Sequence, residues 1–110
     1  MALFLVVRHR KNPKQPFENV WQDDELLTSI QTTVKIGELC KKEQNAKRQV
    51  YVHRCGYEDF PPVICCSVQI ADVAEVGGWI IVEFREQKRL DGVPPVPPIR
   101  HQNHYVAPSP

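Results

Sequence analysis

The sequence predicts an α+β domain with element order βαβββ, in which one helix packs across a small four-stranded sheet, mixed or antiparallel. Three observations predict it. An apolar run opens the chain at Leu3–Val7, a helical stripe of apolar residues follows from Leu26 to Cys40, and segments of alternating polarity fill Gln49–Phe84. The 110 residues are 42% hydrophobic and 25% charged, which matches one ordinary globular domain and leaves no room for two. The domain is placed at residues 1–90, followed by a proline-rich extended C-terminal arm at 91–110.

Leu3–Arg8 reads as a strand with apolar residues on both faces, and such a strand belongs inside a sheet. A long connection from His9 to about Gln22 holds Pro13, Pro16, Phe17 and Trp21. One helix is predicted over residues 24–43, because Leu26, Leu27, Ile30, Val34 and Cys40 share a stripe with Thr33 and Gly37. Asp23, Asp24 and Glu25 at its start and Lys41 and Lys42 at its end complement the helix dipole, and Asn45 marks its stop. Gly37 on the buried stripe implies close approach to the sheet, since glycine inside a helix costs about 1 kcal/mol against alanine.

Gln49–Arg54 is the second strand, with Val50 and Val52 on one face and Tyr51 and His53 on the other. Val63–Ile70 is the third: Ile64, Cys66, Val68 and Ile70 form its apolar face, which makes Cys66 the core thiol. Ala71–Val76 is expected as a helical turn or loop, Gly77 and Gly78 punctuate, and Trp79–Phe84 is the fourth strand. The predicted core is Leu3, Leu5, Val7, Leu27, Ile30, Val34, Val50, Val52, Ile64, Cys66, Val68, Ile80, Val82 and Phe84. Beyond it, Pro94, Pro95, Pro97, Pro98, Pro108 and Pro110 exclude helix or central strand from the arm and favour polyproline II or extended coil.

Composition excludes several classes. Fourteen Lys and Arg against thirteen Asp and Glu give a formal charge of +1, too small a field to mark a nucleic-acid binder. The apolar N-terminal run precedes its basic residues, the reverse of a signal peptide, and no window reaches the ~18 apolar residues that a membrane span needs. The expectation is therefore a soluble cytoplasmic protein with no membrane partner, whose four cysteines stay reduced.

If the first two strands are parallel neighbours, their carboxyl ends share one edge, and Arg8, His9 and Arg10 meet His53, Arg54 and Cys55 there. Guanidinium groups at such an edge suit phosphate or carboxylate, because they bind oxyanions in paired, planar hydrogen bonds. Asp23, Asp24 and Glu25 are placed at the same edge, where they would pair with the cations instead. His53 and Cys55 share a strand face, but the spacing of Cys65 and Cys66 is wrong for zinc, since adjacent strand residues point oppositely. No metal, cofactor or catalytic residue is assigned; neither a catalytic triad nor a phosphate-cradling glycine loop is present.

Leu5-Val6-Val7-Arg8-His9, followed by Asp24 and Leu27-Thr28, resembles the opening of histidine phosphatases. That resemblance implies His9 as the phosphorylated nucleophile and Arg8 as a phosphate clamp, although Arg10 stands where the family has glycine. Val50-Tyr51-Val52-His53, Pro61-Pro62 and Val63–Val73 resemble strands of PUA-like domains, which implies binding of RNA or modified bases. Together these give one functional expectation, a nucleic-acid- or phosphate-binding module at Arg8, His9, Arg10, His53 and Arg54.

The leading expectation is a non-enzymatic interaction module that self-associates or docks a protein partner. Its contact residues are Trp21, Trp79, Pro95, Pro98, Ile99, Arg100 and Tyr105. Pro95–Arg100 fits the proline-rich pattern read by aromatic grooves, and Ile99, Tyr105 and Val106 give the arm apolar anchors for crossing onto a second copy.

Overall fold

The computed structural model describes residues 1–7, 28–55, 62–93 and 104–110, with the side chains of 91–93 left aside. Within them the chain is a small α+β unit: one helix on a curled mixed sheet of six strands rather than four. The elements are β1 (Ala2–Val7), β2 (Ser29–Thr32), α1 (Val34–Ala46), β3 (Val50–Arg54), β4 (Val63–Val76), β5 (Trp79–Val93) and β6 (Tyr105–Ala107). They lie in the order β2-β5-β4-β3-β1-β6.

The expected strand at the N-terminus is present, and all six of its residues are buried. It lies inside the sheet, parallel to β3 and antiparallel to β6. Leu3, Leu5 and Val7 face a large core with Val50, Val52, Val68, Ile70, Val82 and Phe84, covered by Cys40 of the helix. Ala2 and Phe4 face a second, smaller cluster with Ile64 and Ala107. Ile64 thus leaves the face predicted for it, and β4 has an irregularity that explains why.

Val52 is opposite Cys66 whereas His53 is opposite Ile64, so Cys65 is an extra residue on β4. This bulge reverses the alternation on its N-terminal side, sending Ile64 to the second cluster and bringing both Cys65 and Cys66 into the first. The expectation that these neighbours point oppositely is corrected here. Further register shifts between β4 and β5, with Glu86 held at φ 51, add to the curl.

The helix starts later than predicted. Over Ser29–Thr32 the burial alternates, with Ile30 and Thr32 inward, and this period of two pairs the segment with β5. Thr33 then caps the helix, its hydroxyl oxygen accepting from the Ile36 N–H at 3.4 Å. Neither the acidic start nor the basic finish expected from the sequence is realised in the first and last turns. Val34, placed in the core, is 60% exposed; Leu27 lies outside the described residues. At the other end Lys47 adopts a left-handed conformation, and its N–H and that of Arg48 reach the carbonyls of Gln44 and Glu43, each at 3.1 Å.

Residues 71–76, expected as turn or loop, continue β4, and β5 runs past Phe84 to Val93. The two strands form one long hairpin whose turn is Gly77-Gly78, at φ 58 and 83. Positive φ at both central residues is what a tight hairpin turn requires. The arm also contains strand: Asp91–Val93 end β5, and the proline-free Tyr105–Ala107 forms β6 on the sheet edge. Among the described residues no helix is long and apolar enough to cross a membrane.

Gly37 packs directly on the sheet, as its place on the stripe implied. A Cβ there would meet Ile80 Cγ2 at 2.8 Å, and this branched methyl has no free rotation to clear it. Gly37→Ala is expected to destabilise by about 1 kcal/mol, overpacking of ~1–3 kcal/mol exceeding the ~1 kcal/mol gain in helix propensity. Urea unfolding measures it; an unchanged or raised midpoint contradicts the close contact.

Candidate functional site

Tyr51, His53 and Tyr105 gather on the second face of the β3-β1-β6 triplet. Alternation along β3 puts Tyr51 and His53 there, and the register sets Tyr51 beside Phe4 and Phe4 beside Tyr105. Three rings consequently stack across three strands: Tyr51 on Phe4 with centroids 5.3 Å apart, and Phe4 on Tyr105 at 4.9 Å and 2°. His53, 1% exposed, meets the Tyr105 ring edge-on at 5.6 Å, and its Nδ1 lies 2.6 Å from the Tyr105 hydroxyl.

Burial, and then the charge of Cys55, push the Tyr105 phenol up to about 12, so it keeps its proton across the physiological range. The hydroxyl donates to Nδ1 when His53 carries its proton on Nε2, and accepts when Nδ1 is protonated. This bond tolerates either form of His53. A second histidine does not have that freedom: His104 Nδ1 accepts the Val6 N–H at 2.8 Å, which only an unprotonated nitrogen can do. Its ring takes over a backbone donor of β1 where β6 begins, and burial lowers its pKa from 6.5.

At the adjoining edge the parallel register sets Val7 beside Arg54, and the Cys55 N–H donates to the Val7 carbonyl at 2.9 Å. Arg8, His9, Arg10, Trp21, Pro95, Pro98, Ile99 and Arg100 lie outside the described residues. Of the remaining sequence-assigned residues, the structure brings together His53 and Tyr105, which had been given to different functions, and sets Arg54 opposite Val7 at the end of β3. Trp79 stands apart, 50% exposed at the tip of the long hairpin and paired with Val76.

Cys40, Cys65 and Cys66 behave as core groups, and Cys55 is half-buried. Cys65 Sγ donates to the Val52 carbonyl at 3.4 Å, and its thiol is pushed up by its hydrogen bond with Cys66 and by burial. Burial, and secondarily Glu43, raise Cys40 to about 12. None of the four cysteines forms a disulfide, and among the described residues no three His, Cys, Asp or Glu groups converge as a metal site.

Sequence reasoning missed His104, Phe4 and Tyr51 as members of this cluster. The available signal was alternation: Tyr51 and His53 share a face of one strand, and an aromatic residue at Phe4 marks the same face of its parallel neighbour. Comparison of the chain with protein-family models, with characterised proteins and with solved structures gives no match.

Two outcomes follow from the cluster. Tyr105→Phe keeps the ring stack but removes the hydroxyl from a buried histidine, and is expected to cost about 1–3 kcal/mol in urea unfolding; a neutral result would mean that the 2.6 Å contact carries no stability. With its folded pKa below 6.5, His104 is protonated first in the unfolded chain. Its contribution is complete above pH 6.5 and is lost as the pH falls through the lower folded value. Hydrogen exchange at the Val6 amide should accelerate over that window relative to the amides of β4, whereas uniform protection down to unfolding would contradict the role given to His104.

Proposed function

We propose that the chain is a small non-enzymatic interaction module of the cytoplasm that associates through its C-terminal arm, with itself in the first instance. One observation carries this reading: residues 104–107 are seated on the β1 edge as a docked strand, with two polar rings as anchors. A three-residue strand has no stability of its own, so its order derives from the surface that receives it. That surface is built for a strand: an aromatic platform at Phe4 for Tyr105, a buried acceptor at His53, and an amide at Val6 that takes an imidazole.

The buried position of His53 supports the same reading. A ring 1% exposed and bonded to Tyr105 is positioned to hold a strand, and a soluble phosphate would have to displace that strand to reach it. Arg54 at the neighbouring edge is the residue through which an anion-binding reading enters if the arm reading fails.

Light scattering on the full chain at micromolar concentration, with Tyr105→Ala and Trp79→Ala beside it, tests the proposal. The unsubstituted chain is expected as an oligomer, with Tyr105→Ala weakening association about tenfold or more, ~1.4 kcal/mol, and Trp79→Ala leaving it unchanged. A monomeric full chain, or association lost in Trp79→Ala alone, overturns the arm as the docking element.

A further inference from the structure

We propose that the open face of the β4-β5 hairpin docks a basic amphipathic helix of a partner protein. Apolar residues of that helix cover Trp79 and Val76, and a Lys or Arg reaches Asp72 and Glu83. This surface is independent of the arm reading above, in which Trp79 has no part.

One face of the hairpin is already occupied. Ile80, Val82 and Phe84 belong to the large core, and Ile80 lies against Gly37 of α1. Alternation turns the residues between them outward, and the register sets these in three rows: Val76 opposite Trp79, Ala74 opposite Ile81, and Asp72 opposite Glu83. The water-facing side of an antiparallel hairpin ordinarily carries polar side chains. Here the first two rows are apolar throughout, and Val76 and Trp79 are 59% and 50% exposed. Contiguous exposed apolar rows, unlike a single exposed residue, mark an interaction surface.

The third row selects the charge of the partner. Asp72 and Glu83 are both exposed, and Ser29 of β2, the other neighbour of Glu83 in that row, is uncharged. Water accommodates each carboxylate singly, but two set directly opposite each other repel. Among the described residues neither has a cation within ion-pair distance. A Lys or Arg supplied from outside relieves the repulsion and fixes the orientation of the partner that brings it. The same pair repels an anionic lipid surface, a nucleic acid, and a second copy meeting this face row on row.

The backbone selects the form of the partner. β5, the central strand of this face, is paired over Ile80–Glu83 with β2 on one side and β4 on the other. A strand laid on it would have no ladder to join, whereas a helix brings its own hydrogen bonds. The width also suits a helix: three strands span about 10 Å, close to the ~10–12 Å diameter of a helix with its side chains. Along the strands, the Trp79 row and the Glu83 row are four residues or about 14 Å apart. Apolar residues at i and i+4 of the helix then cover the first two rows. A Lys or Arg at i+7, about 10.5 Å along, reaches the third with its long side chain.

The test is a library of displayed amphipathic helices, with apolar and charged positions varied independently, selected on the full chain. Enriched helices are expected to carry Lys or Arg about two turns beyond an apolar pair and to shift the indole N–H resonance that Trp79→Ala removes. Their affinity should fall at least tenfold on Trp79→Ala. On a chain bearing Asp72→Lys with Glu83→Lys, analogues with glutamate in place of the basic residue should bind better than the originals. All three substituted positions are exposed, and unchanged exchange protection of the β1 amides verifies that each variant is folded. No enrichment, enriched helices without basic residues, or affinity indifferent to Trp79→Ala overturns the proposal. So does a Trp79 resonance that moves with lipid vesicles and with no helix.

Discussion

The double-sided burial of β1 is the constraint on which the rest of the structure depends. A strand with all six residues buried needs cover on both faces and partners on both edges, because its amides and carbonyls have no water to turn to. One face is met by the large core beneath α1, the other by the aromatic and histidine cluster. One edge pairs in parallel with β3, and a parallel pair cannot be joined by a tight turn. The intervening chain accordingly holds β2 and the helix, which return across the sheet. The other edge falls to β6, and where that short strand begins an imidazole takes over the Val6 amide.

The bulge at Cys65 reconciles these two cores. Without it, Ile64 would continue the face of Cys66, Val68 and Ile70, and the second cluster would lose its place for Ile64 opposite His53. The extra residue interrupts the ladder opposite Val52, and the Cys65 thiol supplies a donor to the Val52 carbonyl. A small, polarizable side chain that is held protonated serves this position well: it packs as a hydrophobe and still answers a backbone acceptor. The same displacement carries Cys65 and Cys66 into one core, so their adjacency in sequence reflects packing at an irregularity.

Strong alternation made much of this legible. Leu3–Val7 announced a strand covered on two sides, Val50–Arg54 and the Cys66–Ile70 part of β4 followed their periodicity, and Gly37 marked the helix's contact with Ile80. The helix start was misplaced because Ile30 and Val34 fit a helical stripe numerically, while pairing with β5 decides for strand over Ser29–Thr32. No local pattern distinguishes these, since the deciding partner lies some fifty residues away. The extension of β4 was hidden for a related reason: Asp72 and Glu75 read as loop, yet solvent-facing positions of a protruding hairpin accept charge without penalty. At the candidate site, His53 and Tyr105 were each visible alone, and only the crossover register joins them.

β6 brings to β1 two polar rings and no charge. Tyr105 keeps its proton, and His104 bonds through a bare nitrogen, so both interactions gain their strength from exclusion of water and exist only while the strand is seated. A segment whose order is entirely tertiary stands toward its receptor edge as a bound peptide does. Its occupancy is then set by effective concentration, which falls when a linker's natural length mismatches the span it must close.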